Sequence, residues 1–261
     1  MDKGKISVVI NTYNASSFLE KTLKYLEGFD EVVICDMEST DNTKVIAEQH
    51  GCKFVTFPKG NISICEPARN FAIQSASNQW VLVVDADEIV TPELREYLYN
   101  EIKESTCPDG LYIPRKNMFM GKYIHSSPDY QLRFFRRDKA DWPPIIHRPP
   151  VIDGVIKNIP SNLDNVCFMH LDDACLYDRL RKLNSYTEYE VLKRKNKHYG
   201  GLSLLFRPLW FFLRCYFIQG AIRDGVRGII RSYMAAWYQV IMLAKIKEYK
   251  WKNEQVNIQD K

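Results

Sequence analysis

The sequence predicts an α/β protein with a doubly wound, mostly parallel sheet, an added antiparallel segment and a helical, basic C-terminal region. Three observations carry that prediction. Strand-like apolar runs alternate with helix signals through the first hundred residues, at the spacing of βα units. The run Trp80-Val81-Leu82-Val83-Val84-Asp85-Ala86-Asp87-Glu88 is apolar on both faces, as in a strand covered on both sides, and ends in carboxylates. Beyond residue 178 the charge balance inverts and the pattern turns helical.

The elements follow in order. Residues 6–10 read as the first strand, and Ser17-Phe18-Leu19-Glu20 has the capping-box pattern that opens a helix to about Leu26. Glu31–Asp36 is a second strand, followed by a helix over about 41–50 and a weaker third strand over 53–57. Residues 67–75 form a short helix with proline at its start. After the strand Trp80–Asp85, Thr91-Pro92-Glu93 caps a helix to about Glu104. From Gly110 the texture changes. Short alternating segments at 111–114, 122–124 and 131–136, separated by Pro, Gly and Asp, read as antiparallel strands added to one edge of the sheet. From about Asp172 to Lys252 the chain is helical and basic, which divides it into residues 1–171 and 172–261.

A chain of 261 residues, 46% hydrophobic and 26% charged, can hold one sizeable domain and an appendage. Its net charge of +4 conceals an asymmetry: residues 179–252 carry 16 Lys and Arg against 4 Asp and Glu, and residues 1–178 carry 19 against 26. An acidic body with a basic C-terminal region points to an anionic surface as partner, either membrane or nucleic acid. Seven cysteines without a Cys-x-x-Cys motif do not make a disulfide frame or a zinc site, and read as reduced, mostly buried thiols of a cytosolic protein. The N-terminal Met-Asp-Lys-Gly-Lys precedes only five strand-like residues, too short for a signal-peptide core, so secretion is not expected.

The segment 202–221 is not a membrane span, because Arg207, Pro208 and Arg214 interrupt a stretch that would need roughly twenty mostly apolar residues. The following helix, about 221–250, gathers Ile222, Val226, Ile229, Ile230, Tyr233, Trp237, Val240, Ile241 and Ala244 on one side, and Arg223, Arg227, Arg231 and Lys245 elsewhere on the wheel. Two readings stand beside each other. Either the helix packs on the first domain with a solvated basic face, or it lies in the interface of an anionic membrane, helped by Trp210, Phe211, Phe212, Tyr216 and Phe217.

Four segments fall where the strand ends of a parallel sheet converge and ligands bind. Asn11-Thr12-Tyr13-Asn14 offers small polar groups for a nucleobase or ribose, or forms an ordinary turn. In Cys35-Asp36-Met37-Glu38-Ser39-Thr40-Asp41, Asp36 could accept a base or ribose hydrogen, while Ser39 or Asp41 caps the next helix. Arg69, in Pro67-Ala68-Arg69-Asn70, stands at a helix start, where it could face phosphate. Asp85-Ala86-Asp87 suits Mg²⁺, which takes one or two carboxylates plus substrate phosphates, although an isolated Asp-x-Asp is also what a solvated turn presents. Their joint order on successive βα units favours a metal–diphosphate site.

These segments resemble the GT-A-fold glycosyltransferases of family 2. The resemblance rests on Ser7-Val8-Val9-Ile10-Asn11-Thr12-Tyr13-Asn14, Val32-Val33-Ile34-Cys35-Asp36 with Ser39-Thr40-Asp41-Asn42-Thr43, Ala68-Arg69-Asn70 and Asp85-Ala86-Asp87-Glu88. Farther on, 128–137, Arg207-Pro208-Leu209-Trp210 and Arg223-Asp224-Gly225-Val226-Arg227-Gly228 are similar to the subgroup that adds glucose to the lipopolysaccharide inner core. The resemblance implies a cytoplasmic enzyme, peripheral on the inner face of the membrane, that inverts at the anomeric carbon and moves a hexose from a nucleotide-sugar, UDP-linked in most of the family. The acceptor would be a lipid-linked saccharide, the anionic surface a membrane rather than nucleic acid, and the antiparallel segment the acceptor-side wall. Thr12, Asn14 and Asp36 would hold the nucleoside, Arg69 the phosphates, Asp85 would sit near the ribose, and Asp87 would bind Mg²⁺ or Mn²⁺.

The metal fits the chemistry, since the leaving nucleoside diphosphate gains negative charge. Inverting transfer also needs a base for the acceptor hydroxyl. Asp129 is the candidate, with a turn residue after Ser127-Pro128 as the competing reading. Arg133, Arg136 and Arg137 could grip diphosphate or a phosphorylated acceptor, or form a solvated basic face. His147 and His170 each read either as a further metal ligand or as a structural histidine. One departure stands out: the subgroup tends to show His-Glu where this chain has His147-Arg148. The rivals are a nucleotidyltransferase, which would normally show a glycine-rich loop after the first strand, and a non-catalytic nucleotide-sugar-binding membrane scaffold.

Overall fold

The computed structural model describes residues 4–62, 64–125, 129–145, 148–160 and 162–259. They form two compact units, one from residues 4–117 and 129–172, the other from 118–125 and 173–259. Residues 118–125, read from sequence with the first domain, therefore join the second unit.

The first unit opens with β1 (Ile6–Thr12), α1 (Ser16–Lys24), β2 (Glu31–Asp36), α2 (Thr43–Gln49), β3 (Lys53–Thr56), α3 (Glu66–Gln74) and β4 (Trp80–Asp85). β5 (Glu88–Val90) and α4 (Pro92–Glu101) follow, then β6 (Gly110–Phe119), whose last two residues belong to the second unit. β1 pairs in parallel with both β2 and β4, and β2 with β3. Alternation within these strands sorts the core. Val8, Ile10, Leu82 and Val84 pack with Leu19 and Leu23 of α1 and Leu94 and Leu98 of α4. Val9, Val33, Val81 and Val83 pack on the other face with Ala68, Ala72 and Ile73 of α3. Each such Val, Leu or Ile side chain contributes roughly 1.5–3 kcal/mol of burial.

α1 departs from its sequence reading. It begins at Ser16 after Ala15, with no capping bond from its own side chains. The Ser16 N–H instead donates to the Asp41 carboxylate at 3.0 Å, and the Ala15 N–H donates to the Thr43 hydroxyl at 2.9 Å. Thr91 does cap α4, accepting from the Leu94 N–H at 3.3 Å.

The segments beyond Gly110 extend the sheet from its β4 edge, as their alternation suggests. β7 (Lys122–Tyr123) makes a hairpin with the end of β6, and β8 (Asp129–Arg136) lies antiparallel between β4 and β6. A short ribbon pairs β9 (Ala140–Asp141) with β10 (Val151–Ile152), and β11 (Ile156–Asn158) joins β6 in parallel. β12 (Phe168–His170) pairs in parallel with β6 and antiparallel with β5. The order is β3-β2-β1-β4-β8-β6-β12-β5, so β12 lies far from β4 in sequence but next to β5, three residues past it.

The second unit contains the hairpin, α5 (Leu176–Arg194), α6 (Ser203–Leu213) and α7 (Val226–Gln259). Gly225 takes a left-handed φ of +57° before α7, and a Cβ at Gly228 would lie 1.7 Å from the Ala221 carbonyl oxygen. Both glycines are thus required by local geometry. Met242, Leu243 and Ile246 of α7 pack against Val191 of α5. Two of the basic residues expected to share a face of this helix, Arg227 and Lys245, instead bind within the unit. Arg227 donates to the Met120 carbonyl at 2.9 Å, and Lys245 reaches the Asn184 side chain at 2.8 Å and Glu188 at 2.7 Å. Among the described residues, no helix is long and apolar enough to cross a membrane.

Candidate active site

Parallel register brings the sequence-predicted residues to one end of the sheet: Thr12 stands opposite Asp36, and Asn11 opposite Asp85. The Thr12 hydroxyl donates to Asp36 Oδ1 at 2.7 Å, and Ser39 donates to the same carboxylate from its N–H at 2.8 Å and its hydroxyl at 2.6 Å. Asp36 is only 4% exposed. The pair therefore fixes the loop after β2. Asn14, in a left-handed conformation at φ +49°, accepts from the Thr40 N–H at 2.8 Å and ties the β1 and β2 loops together. Its neighbour Tyr13 is exposed and carries the Lys59 ammonium 4.6 Å from its ring centre.

The three carboxylates at the end of β4 have separate partners. Asp85 accepts from Arg69 at 3.0 Å and from both terminal nitrogens of Arg133, at 3.2 and 2.7 Å. Burial works against its charge, but Arg133 and then Arg69 outweigh it and hold the carboxyl well below the usual range. Both arginines are almost fully buried, and both stack on Trp142, at 4.5 and 5.4 Å. Glu88 is wholly buried, accepts the Asp85 N–H at 3.0 Å and binds Arg115 at 3.1 Å. Burial, reinforced by the Asp85 charge, pushes its carboxyl upward.

Asp87 is different. Its Oδ2 meets His170 Nε2 at 3.1 Å, and Oδ1 makes no hydrogen bond or ion pair among the described residues. β12 creates this pair, with His170 opposite Glu88 in β5 and the Leu171 N–H donating to the Asp87 carbonyl at 2.7 Å. Burial lowers the imidazole pKa, but the Asp87 hydrogen bond and charge raise it overall. A carboxylate and an imidazole at one strand end, with a free carboxylate oxygen, fit a divalent cation that draws its remaining ligands from diphosphate and water. No cluster of three or more ligating side chains occurs among the described residues. His147 lies outside the described residues.

Asp129 opens β8 and accepts from Arg115 at 2.7 Å and Gln131 at 2.8 Å, both on Oδ2. Arg115 thus joins it to Glu88. Arg136 binds Asp138 at 2.9 Å, and Arg137 donates to the Ala76 carbonyl, so neither faces the site. Asn70, quoted above only as part of a motif, clamps the β9 loop: it donates to Asp141 at 2.7 Å and accepts the Trp142 N–H at 2.7 Å. Sequence reading missed Arg115 and Trp142, and quoted Glu88 only within the acidic run without giving it a role. Arg115 shares its strand with Lys116 and Asn117 and so carried no distinct signal, and for Trp142 there was none before the fold placed it beside α3. A cavity of about 400 Å³ opens beside this layer, lined by Glu66, Arg69, Tyr130, Arg133, Trp142 and Arg148 among others.

A family model described as Glycosyl transferase family 2 matches residues 7–157. The chain is 26% identical to the lipopolysaccharide core biosynthesis glycosyltransferase LpsC of Rhizobium meliloti, over 98% of this chain and 96% of that protein. It is also 26% identical to a glycosyltransferase of Rickettsia bellii, over 94% of this chain and 86% of that one. Its fold is similar to the mannosyltransferase PcManGT of Pyrobaculum calidifontis in complex with GDP-Man and Mn²⁺, with a TM-score of 0.53 at 15% identity over 93% of this chain and 86% of that one. It is likewise similar to residues 1–349 of S. aureus TarS, with a TM-score of 0.50 at 16% identity over 95% of this chain and 92% of that one. The matched stretch runs through the parallel strands, the acidic strand end and the Arg115–Asp129 wall, and with it the chain belongs to glycosyl transferase family 2.

Proposed function

We propose that this glycosyltransferase inverts at the anomeric carbon, moving a hexose, glucose by resemblance, from a UDP-linked donor to a lipid-linked saccharide of the cell envelope such as lipopolysaccharide core. One observation carries the reading: of the carboxylates ending β4, Asp85 and Glu88 are bound by arginines, while Asp87 keeps an open oxygen beside His170. The similarity to LpsC supports the envelope-saccharide acceptor. Asp87 and His170 would hold Mg²⁺ or Mn²⁺, which neutralises the departing diphosphate. The acceptor oxygen attacks C1 opposite the leaving phosphate; the new C–O bond forms as the C1–phosphate bond breaks, and the hydroxyl proton passes to Asp129 Oδ1. Arg115 and Gln131 hold the other oxygen, fixing the orientation of the base.

Two tests follow. A nucleotide-sugar panel with proton NMR of the product should show release of nucleoside diphosphate and an inverted anomeric centre; cleavage to nucleoside monophosphate would contradict the reaction class. Asp129→Asn should lower kcat by about 10²–10⁴ with donor KM unchanged. An unchanged kcat would remove Asp129 as base.

A peripheral membrane site, cytoplasmic by resemblance, belongs to this reading, and an exposed apolar stripe of the second unit supports the membrane contact. Leu202, Leu205, Phe206, Leu209, Leu213 and Phe217 recur at helical spacing along α6 and the turn after it, and all are exposed. Lys193, Lys195, Lys197, Arg214 and Arg223, exposed on the same unit, supply charge for anionic lipid. Replacing Leu205 and Phe206 together by Glu should weaken sedimentation with phosphatidylglycerol vesicles by more than about tenfold, each side chain contributing roughly 1.5–3 kcal/mol. Unaltered sedimentation would place the face elsewhere than on lipid.

A further inference from the structure

We propose that the cavity beside Arg69, Arg133 and Arg148 receives an anionic substituent, a carboxylate or phosphate ester, carried by the acceptor saccharide; this rests on the glycosyltransferase reading. The cavity is lined chiefly by donors. Arg69 is 6% exposed, yet its Nε and Nη1 have no hydrogen-bond partner among the described residues, and neither has the indole N–H of Trp142, itself 5% exposed. Leaving such groups unpaired in a nearly buried place costs about 1–3 kcal/mol each, more for a charged group, which an acceptor arriving with a ligand would recover.

The charges agree. Arg69 and Arg133 share the single carboxylate of Asp85, Glu66 is the one acid among the lining residues, and Arg148 adds a third guanidinium without a side-chain partner among the described residues. One positive charge is therefore left over, next to donors that have nothing to bind. A guanidinium pair with an indole N–H recognises planar or tetrahedral oxyanions by charge-assisted hydrogen bonds. At about 400 Å³ the cavity is larger than an isolated anion needs and lies in the range of ligand sites, while Tyr112 and Tyr130 offer aromatic walls to a sugar ring. Its lining includes none of Thr12, Asn14, Asp36, Asp87 or His170; of the residues read towards the donor it shares only Arg69, whose side chain is turned to Asp85 rather than to that group.

Isothermal titration of the whole protein with glucose 6-phosphate, glucuronate and neutral glucose tests this, beside UDP with Mn²⁺, UDP-glucose and UDP-glucuronate. At least one anionic sugar should bind tenfold or more tighter than glucose; the stronger of the two identifies the anion as phosphate or carboxylate. Arg148→Glu should erase that preference and leave UDP affinity within about twofold. Equal binding of charged and neutral sugars, or a preference that survives Arg148→Glu, overturns the proposal while UDP still binds. A tighter grip on UDP-glucuronate than on UDP-glucose that Arg148→Glu removes also overturns it, because the anion then belongs to the donor. If UDP with Mn²⁺ fails to bind the unaltered protein, the UDP-linked donor reading falls, separately from this proposal.

Discussion

Asp87→Asn should lower the transfer rate by about a thousandfold or more and leave the thermal midpoint within about 2 °C. The substitution keeps the shape of the side chain and an oxygen that can accept from His170, so the β5–β12 junction persists. What disappears is the negative charge that would hold a divalent cation. A metal at the developing diphosphate supplies several kcal/mol of transition-state stabilisation, and about 4 kcal/mol corresponds to a factor of a thousand. Steady-state rates with UDP-glucose, or whichever donor the panel selects, and a melting curve check both halves. Full activity in Asp87→Asn would remove Asp87 from the reaction.

Asp85→Asn should behave in the opposite way, as a loss of fold first. Arg133 and Arg69, 5% and 6% exposed, rely on this one carboxylate. Stranding buried charges costs about 3–5 kcal/mol, reduced here because the Asp85 side chain is 30% exposed and admits water, which leaves about 2–4 kcal/mol. For a chain of this size that is a drop of roughly 4–8 °C in Tm. The sign with pH follows from the depressed carboxyl of the native state. The stabilisation is complete at neutral pH and is lost as the pH falls below about 4, where the unfolded chain already takes up the proton. Wild type and Asp85→Asn should therefore converge in stability on acidification. A variant as stable as wild type at pH 7 would show that the arginines find another anion.

Two aspartates one residue apart thus differ in kind, and that difference was only partly legible in the sequence. Local information was enough for β1 to β4: continuous runs of Val, Ile and Leu marked strands covered on both faces, and the strand ends collected Thr12, Asp36, Asp85 and Asp87 where ligands bind. The residues that decide what each carboxylate does come from far along the chain. Arg133 reaches Asp85 across 48 positions and His170 reaches Asp87 across 83. Those pairings depend on β8 and β12 entering the sheet beyond β4, and short alternating segments do not encode strand order. The capping box at Ser17 failed for a related reason: Asp41, on the next loop, supplied the cap first. On α7 the wheel could not show that Arg227 and Lys245 would find partners at Met120 and Asn184 on other elements.

The most direct test of the metal–diphosphate assignment is an anomalous difference map from crystals containing UDP and Mn²⁺. The expected result is one strong peak touching the Asp87 carboxylate, the His170 imidazole and the diphosphate, with Asp85 still bound by Arg69 and Arg133. Bound UDP with no peak at Asp87, or with the metal on Asp85, would contradict it.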